Sequence, residues 1–373
     1  MTELEPGLRA GTLRLPDSKS HLHRVLLADF LAGRSARLTP EAGDCDDVLA
    51  TKRCLFMLTR SGEALLDCGE SGTTRRLLAP VVAALRRTVK WVMSGRLARR
   101  PQRDYTDIKA GIFEMPGDIS SQFISGLLFA LPLLDGESEI RLTTPLASRG
   151  YVEMTCTVLR RYGINVQEMP QGYIVPGNQH YRAPAKPIVI EADWSGAAFG
   201  YALRHLGNDV AFPPGEEEKR LLPNSAQPDR VIGEMLAELG RSGFATLDVD
   251  ACPDIFPILA VVAATRAGET AFTGTHRLQL KESDRTAAMA DVLARFGVAS
   301  RGDSGSFVVR GTGKPLRGGA FTAFNDHRIA MSIAVGATRA NAPVCIDDTD
   351  CAAKSYPTFF TDFRALKLCG ARA

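Results

Sequence analysis

The chain has 373 residues, of which 45% are hydrophobic and 23% charged, and its formal net charge at pH 7 is +3. This length predicts two domains or one large repetitive domain. So small a net charge excludes a broad nucleic-acid-binding or membrane-binding surface, and the basic residues are therefore expected to act locally.

The sequence predicts a cytoplasmic protein. Its apolar runs are too short to span a membrane, and residues 1–9 are acidic and lack the apolar region of a secretory signal. Eight cysteines are scattered without CxxC pairs or metal-ligand spacing. This pattern indicates buried, reduced thiols.

Six short polar clusters each lead into an apolar stretch of helical character, which predicts six helix N-termini. In chain order they cover residues 17–20, 70–74, 117–122, 193–196, 253–254 and 325–328. Helices are expected behind them over 21–31, 77–85, 123–134, 255–265 and 329–337, and strands before them at 10–15, 64–67 and 188–191. The recurrence predicts an α/β fold that uses one supersecondary unit repeatedly.

These helix starts also predict the kind of ligand. A helix N-terminus presents unpaired backbone N–H groups and a partial positive charge, and several of the six lie beside Lys or Arg. If they converge in the fold, they form an anion-binding site. The substrates are therefore expected to carry phosphate or carboxylate groups.

The N-terminal half offers three motifs for such a site. Lys19, Ser20 and Arg24 share one helical face, which suits a phosphate but is equally typical of a solvated basic cap. The arginine-rich stretch 96–103 is either a surface run or contains one anion clamp, and its spacing does not choose. Residues 120–122 place two hydroxyls and an amide at the mouth of an apolar helix, or simply cap it.

The C-terminal half offers titratable groups. Lys281, Glu282 and Arg285 are either a helical ion-pair network or an acid–base pocket. His327, next to Arg328 at a helix start, is a candidate proton donor. Asp254 is a cap by default and a general base in the right pocket, and Lys354 is either exposed or a ligand for an anion. No nucleotide-binding glycine loop or zinc spacing occurs, so neither a cofactor nor a metal is implied.

Taken together and in this order, from residues 13–16 to 356–360, the motifs resemble those of the 5-enolpyruvylshikimate-3-phosphate (EPSP) synthase family. The resemblance implies two domains built from βαβαββ repeats, an inside-out α/β barrel with a cleft between the domains. One domain would comprise residues 1–15 plus 192–373 and mainly bind phosphoenolpyruvate. The other would comprise residues 16–191 and mainly bind shikimate 3-phosphate.

The resemblance further implies a transferase. Its reaction moves the enolpyruvyl group of phosphoenolpyruvate to the 5-hydroxyl of shikimate 3-phosphate and releases phosphate, in chorismate and aromatic amino acid biosynthesis. No nucleic acid or membrane is implied as a partner, and the family is commonly monomeric.

Residue roles follow from the motif positions. The resemblance implies that shikimate 3-phosphate is held by Ser20, Arg24, Ser120, Ser121, Gln122, Ser148, Tyr151 and Lys281, with Arg277 at a position that some members use against the substrate phosphate. It implies that phosphoenolpyruvate is held by Lys19, Arg100, Arg285, Arg328 and Lys354, while Gly72 lets the backbone approach. Asp254 would be the base near the 5-hydroxyl, and Glu282, assisted by Lys19 or His327, would protonate C3.

The chain departs from the family in length. The stretches 19–70 and 100–120 are shorter than usual, which predicts a shortened N-terminal domain. Two alternatives stay open: an enolpyruvyl transferase acting on a UDP-sugar, and a non-catalytic binding protein on the same scaffold. The first usually carries a reactive cysteine in a loop, and the stretch 96–103 has none.

Overall fold

The computed structural model describes residues 1–215 and 220–369. The chain forms two compact units, one made of Met1–Asp17 with Glu191–Ala373 and the other of Ser18–Ile190. We call them the discontinuous unit and the continuous unit. Each has a hydrophobic core formed only from its own residues.

The helices of the described residues, numbered in chain order, are α1 Lys19–Leu31, α2 Asp46–Leu58, α3 Gly72–Ala84, α4 Ser121–Ala130, α5 Arg149–Arg161, α6 Trp194–His205, α7 Ile232–Leu239, α8 Phe256–Thr265, α9 Arg285–Arg295, α10 His327–Ala337 and α11 Phe359–Ala365. Short 3-10 helices lie between several of them, including Gly95–Arg99 and Asp350–Lys354.

The strands are β1 Thr2–Leu4, β2 Arg9–Thr12, β3 Ala64–Asp67, β4 Val89–Val92, β5 Ile112–Met115, β6 Ser138–Leu142, β7 Gln167–Met169, β8 Gly172–Val175, β9 Asp209–Ala211, β10 Ala245–Asp248, β11 Ala267–Thr273, β12 Ala299–Gly302, β13 Ser306–Thr312, β14 Gly319–Phe321, β15 Val344–Ile346 and β16 Lys367–Leu368.

One βαβαββ repeat occurs complete in each unit. In the discontinuous unit, β10 pairs in parallel with β11, and β13 then pairs antiparallel with both β11 and β12. Helices α8 and α9 connect the first three strands in chain order. The sheet β5-β6-β8-β7 of the continuous unit repeats this arrangement with α4 and α5. The predicted supersecondary unit is therefore present.

The remaining sheets are smaller. Strands β3 and β4 form a parallel pair connected by α3. The other two sheets have the orders β1-β15-β14 and β16-β2-β9. Both take a strand from the first twelve residues and pair it with strands from the last thirty, so the two ends of the chain complete the same unit.

The helices α4, α8 and α10 connect parallel strands and consist mainly of buried residues. Their sequences are apolar on nearly all sides, which is typical of helices that pack between other elements. The N-terminus of each of these helices therefore lies at the edge of a hydrophobic core, and the polar residues there are placed by the fold.

A helix begins at or just after each of the six predicted starts, so all six are confirmed. Ser18, Ser71, Ser120, Asp193 and Asp326 each accept a backbone N–H at the helix that follows. Asp254 differs in its role, because α8 begins two residues later with Ile255 at the N-cap and no side-chain cap. The default interpretation of Asp254 as a cap was wrong.

Three predicted elements differ from the structure. The helix expected over 123–134 ends at Ala130 and continues as a 3-10 turn, where Pro132 lacks the N–H for another helical bond. The strand expected over 10–15 ends at Thr12, because side chains bond the backbone of Arg14 instead. No strand forms at 188–191, where the carbonyl of Ile188 accepts from Arg37.

The eight cysteines are all free thiols, but Cys156, Cys345 and Cys369 are not fully buried, contrary to the expectation. None of the helices in the described part of the chain combines the length and apolar character needed to cross a membrane.

Candidate active site

Two arginines lie at the N-terminus of α3 in the continuous unit. The hydroxyl of Ser71 accepts from the backbone N–H of Thr74 at 3.2 Å and so caps the helix. Gly72 begins it, and a Cβ built there would lie 3.1 Å from Nη1 of Arg76 and 3.2 Å from Nη1 of Arg100. Glycine thus lets both guanidinium groups approach the helix end a few tenths of an ångström more closely than a residue with a Cβ would, and they add to its partial positive charge.

The arginines of the stretch 96–103 differ in burial and position. Arg96, Arg99 and Arg103 are exposed, whereas Arg100 is half-buried and reaches the start of α3. The clamp interpretation therefore fits Arg100, and the surface interpretation fits the other three.

The start of α4 adds neutral polar groups to the same unit. Ser120 caps the helix, and Ser121 is buried behind it. The amide of Gln122 bridges to α3: its Oε1 accepts from Nη1 of Arg76 at 2.8 Å, and its Nε2 donates to Oγ1 of Thr73 at 2.8 Å. Because both of its ends are engaged, Gln122 holds the starts of α3 and α4 together.

Lys19 is the first residue of α1, and its ammonium forms an ion pair with Asp47, with Nζ and Oδ2 2.9 Å apart. A chain of hydrogen bonds from Nδ1 of His23 through Thr51 and Thr74 to Ser71 ties α1 and α2 to the cap of α3. Burial, reinforced by the charges of Lys19 and Arg24, lowers the pKa of His23 well below its usual value, so this imidazole is neutral.

Arg24 on α1 forms hydrogen bonds to residues of α1, α4 and α5. Its Nε donates to Thr155, Nη1 to the carbonyl of Ser20, and Nη2 to Ser125 and the carbonyl of Tyr151, at 2.7–3.3 Å. Four of the five guanidinium N–H groups are thus used within the protein. Burial lowers the pKa of Arg24 to about 10, which leaves it charged at neutral pH.

Ser148 lies directly before α5, three residues from Tyr151. Its backbone is in the left-handed region, with φ of 54°. This conformation is uncommon for a residue with a side chain and is found mostly where the surrounding structure imposes it.

Asp254 is the centre of a charge cluster in the discontinuous unit. Its Oδ1 is 2.7 Å from Nη1 of Arg285 and 3.2 Å from Nζ of Lys281, and its Oδ2 is 3.6 Å from Nη2 of Arg328. Burial by itself would raise the pKa of Asp254, but the three cations outweigh it and hold that pKa well below the usual value. Burial lowers the pKa of Lys281.

Arg285 is fully buried and contacts two more carboxylates. Its Nη2 is 3.0 Å from Oε2 of Glu282, and its Nε is 3.0 Å from Oδ2 of Asp326. Asp326 also caps α10, since it accepts from the backbone N–H of Arg328 at 3.0 Å. The guanidinium therefore fixes Asp254, Glu282 and the start of α10 in one arrangement.

Arg328 has unused hydrogen-bonding capacity. Its side chain is 3% exposed, and its Nε and Nη1 have no hydrogen-bond partner in the described protein. A buried guanidinium with unpaired N–H groups is costly unless a ligand supplies acceptors. His327 is its neighbour, 2% exposed, with Nδ1 3.9 Å from Asp326.

Lys354 and Arg277 hold backbone in place. Nζ of Lys354 donates to the carbonyl and to Oδ1 of Asn325, both at 2.7 Å. Phe324 and Asn325 both have positive φ, so the ammonium stabilises a strained turn before α10. Arg277 donates to the carbonyl and the carboxylate of Asp250.

Several residues of these clusters were not predicted: Asp47, Arg76, Asp229 and the pairing role of Asp326. Arg76 could have been found, because it lies one helical turn after Gly72 on the same face. Asp47 pairs with Lys19 across 28 residues of sequence, and no local pattern indicates that contact. Asp229, whose side chain accepts from the hydroxyl of Ser195, is likewise visible only in the fold.

Known proteins resemble this chain along nearly its whole length. The family model described as EPSP synthase (3-phosphoshikimate 1-carboxyvinyltransferase) matches residues 101–203 and 226–363. A 3-phosphoshikimate 1-carboxyvinyltransferase of Clostridium acetobutylicum is 32% identical over 425 aligned positions, covering 98% of this chain and 96% of the relative. One from Clostridium perfringens is 31% identical, with 97% of each chain covered.

Solved structures agree on the fold. An EPSP synthase from Acinetobacter baumannii superimposes with a TM-score of 0.72 at 22% identity and 98% coverage of both chains. The enolpyruvyl transferase NikO from Streptomyces tendae gives 0.65 at 14% identity, covering 98% of this chain and 97% of NikO. These likenesses confirm the predicted fold class, and the family model and the Clostridium relatives together show that the chain belongs to the EPSP synthase family.

Proposed function

We propose that this chain transfers the enolpyruvyl group of phosphoenolpyruvate to the 5-hydroxyl of shikimate 3-phosphate and releases phosphate, in chorismate and aromatic amino acid biosynthesis. One observation carries the proposal: Asp254 lies within 4 Å of Lys281, Arg285 and Arg328. A carboxylate able to take a proton and cations able to bind anionic substrates thus occur together.

The ionisation of Asp254 suits a base that is activated by binding. In the ligand-free protein the three cations depress its pKa, so it is fully ionised at neutral pH but is a weak base. Substrate anions that engage Lys281, Arg285 or Arg328 neutralise part of that positive charge. The pKa of Asp254 then rises, and its ability to accept the proton of the 5-hydroxyl rises with it.

For the second proton we propose Glu282 as the donor to C3 of phosphoenolpyruvate, assisted by Lys19 or His327. Glu282 is held by Arg285 at 3.0 Å, which fixes its position. Arg328 has N–H groups without partners and is proposed to bind phosphoenolpyruvate with Arg285, Lys354, Lys19 and Arg100, with Gly72 giving access to the start of α3.

Shikimate 3-phosphate is proposed to be bound by Ser20, Arg24, Ser120, Ser121, Gln122, Ser148, Tyr151 and Lys281, with Arg277 supporting its phosphate. The hydrogen bonds of Arg24 to the backbone of Ser20 and Tyr151 suit a second role, in which it orients those two residues. We assign the shikimate site mainly to residues 16–191 and the phosphoenolpyruvate site mainly to residues 1–15 and 192–373.

We also propose that the continuous unit is a shortened form of the family's domain. Its sheet β3-β4 ends after a single β-α-β unit, whereas β5 to β8 form a full repeat. A monomer in the cytoplasm is proposed from the resemblance, and a mass of 40.3 kDa in sedimentation equilibrium would support the monomer.

The test of function is phosphate release from the purified protein with each substrate alone and with both. We expect release only with both. Asp254→Asn should lower kcat by at least about a hundredfold, the usual contribution of a positioned base.

Asp291→Asn is the matched control, since it also changes an acid to its amide, but in an exposed pair with Arg295. Its kcat should be unchanged. Binding of shikimate 3-phosphate without any phosphate release would identify a non-catalytic binding protein instead.

A further inference from the structure

Two consecutive arginines of α3 leave the helix in different directions, because neighbouring residues are about 100° apart around a helix axis. Arg76 reaches α4, where it contacts Gln122 and lies over the ring of Phe123. Arg75 turns the other way and stacks over the ring of Trp91 on β4, with its guanidinium carbon 4.2 Å from the ring centroid. Helix α3 thus presents one guanidinium on each of two sides.

Both arginines hold the segment that follows Arg100, which has neither helix nor strand over residues 101–105. Nη2 of Arg76 donates to the carbonyl of Pro101 at 3.2 Å, and Nη2 of Arg75 donates to the carboxylate of Asp104. The segment is therefore fixed at two points within four residues of Arg100, which itself reaches the start of α3.

Arg75 and Asp104 differ strongly in burial. The side chain of Arg75 is 3% exposed and that of Asp104 is 78% exposed. Nε and Nη1 of Arg75 have no hydrogen-bond partner among the described residues. The guanidinium is thus buried between α3 and the ring of Trp91, and the carboxylate of Asp104 accepts a hydrogen bond from it.

We propose that Arg75, through Trp91 and Asp104, is a positioning residue that holds Arg100 at the N-terminus of α3 and so sets the affinity for the phosphoenolpyruvate anion. This rests on the proposed function of Arg100. Arg75 touches no substrate in this proposal, and its effect passes through residues 101–104.

A positioning role and a purely electrostatic effect predict opposite changes in the affinity for phosphoenolpyruvate. Asp104→Asn removes a negative charge near an anion site, which by Coulomb's law alone would tighten anion binding. Positioning predicts the opposite, because the segment loses its charge-assisted anchor. We expect KM for phosphoenolpyruvate to rise about three- to tenfold, with kcat and KM for shikimate 3-phosphate within about twofold of the unaltered protein.

The chain supplies a matched control. Asp107 lies in the same loop and pairs with Lys109, both 78% exposed, so Asp107→Asn removes the same charge without releasing Arg75. Asp104→Glu keeps the carboxylate and should restore most of the affinity. Equal KM values for Asp104→Asn and Asp107→Asn would overturn the proposal.

A readout without substrate separates this inference from the proposed function. In the ligand-free protein, Asp104→Asn should speed amide hydrogen exchange over residues 100–106, and Asp107→Asn should not. Faster exchange with unchanged KM would mean that Asp104 anchors the segment in the unaltered protein but that Arg100 does not bind phosphoenolpyruvate. Unchanged exchange would overturn the positioning role itself.

Discussion

Asp254 and Asp229 are acids in the same unit whose surroundings move their pKa values in opposite directions. Three cations depress the pKa of Asp254. Asp229 is 1% exposed, and its burial, reinforced by the charge of Asp254, raises its pKa to about 7. One of its oxygens has no hydrogen-bond partner in the part of the chain that is described. A pair with pKa values moved apart in this way is typical of sites that handle protons.

The raised pKa of Asp229 predicts a pH-dependent stability. The folded state binds this proton more tightly than the unfolded state, so the stabilisation is complete below about pH 4 and is lost as pH rises through about 7. Asp229→Asn should remove this dependence. As pH rises from 4 to 8, the free energy of unfolding of the variant should therefore increase by roughly 2–4 kcal/mol relative to that of the unaltered protein.

Urea unfolding at several pH values measures this difference. Asp291→Asn, an exposed control, should show no such change. A difference between the Asp229 variant and the unaltered protein that stays constant with pH would contradict the prediction.

The roles of some individual side chains cannot be predicted from the local sequence. Asp254 could be recognised as a cap or a base, because a Pro-Asp pair before an apolar run fits both. The choice depends on Lys281, Arg285 and Arg328, which lie 27 to 74 residues away in the sequence. Spacing alone did not distinguish Arg100 from its neighbours, and only the family resemblance singled it out, since the approach of its guanidinium to Gly72 is a tertiary contact.

Helix starts were predictable, and four of the five expected helices also end within one residue of the predicted position, at Leu31, Ala84, Thr265 and Ala337. A cap is a local event, in which one side chain bonds a backbone N–H within three residues, and it therefore leaves a local pattern. The end of α4 at Ala130 also has a local cause in Pro132, which the prediction overlooked. The missing strand at 188–191 has none, because it depends on a tertiary contact of the Arg37 guanidinium with the carbonyl of Ile188. Motifs at helix starts were consequently the most informative part of the sequence.

A substitution of Gly72, the first residue of α3, tests whether this helix start binds phosphoenolpyruvate. In Gly72→Ala, the new Cβ would stand 3.1–3.2 Å from the guanidinium groups of Arg76 and Arg100, closer than ordinary contact. Both must move by a few tenths of an ångström. We expect KM for phosphoenolpyruvate to rise about five- to tenfold, as when a charge-assisted hydrogen bond worth roughly 1.5–3 kcal/mol is weakened.

Thermal stability should not fall with that change, because alanine favours helix more than glycine does. Gly233→Ala in α7 is the matched control, since its Cβ would meet nothing within 4 Å. It should leave KM unchanged. A normal KM in the Gly72→Ala variant would show that Arg100 and Arg76 are not needed in their present positions.

At the scale of the whole molecule, the order of elements was predictable and the pairing of strands was not. Alternating strands and helices indicated an α/β fold, and the βαβαββ repeats of β5–β8 and β10–β13 bear it out. The sheets that join the two chain ends have no local signal, since β1 and β15 are separated by about 340 residues. Contacts of that separation are set by the packing of the complete unit.

The separation of the two cores predicts that the continuous unit folds alone. All residues of its core lie between Leu22 and Ile190. A fragment of residues 18–190 should therefore unfold in one cooperative transition, followed by circular dichroism in urea.

A fragment of residues 191–373 is the comparison. It lacks β1 and β2, which pair with β15, β9 and β16, and should be much less stable. A non-cooperative transition in the 18–190 fragment would show that its core depends on the rest of the chain.

The pairing of the first strands with the last ones has a consequence for synthesis on the ribosome. Residues 2–12 are translated long before the antiparallel partners of β1 and β2, which lie within residues 344–368. The continuous unit can complete its folding during that interval, while the N-terminal strands remain unpaired apart from the late contact of β2 with β9. Strands β1 and β2 thus complete their native pairing only after the whole continuous unit has been made, and the discontinuous unit can close only once residues 344–368 have been translated.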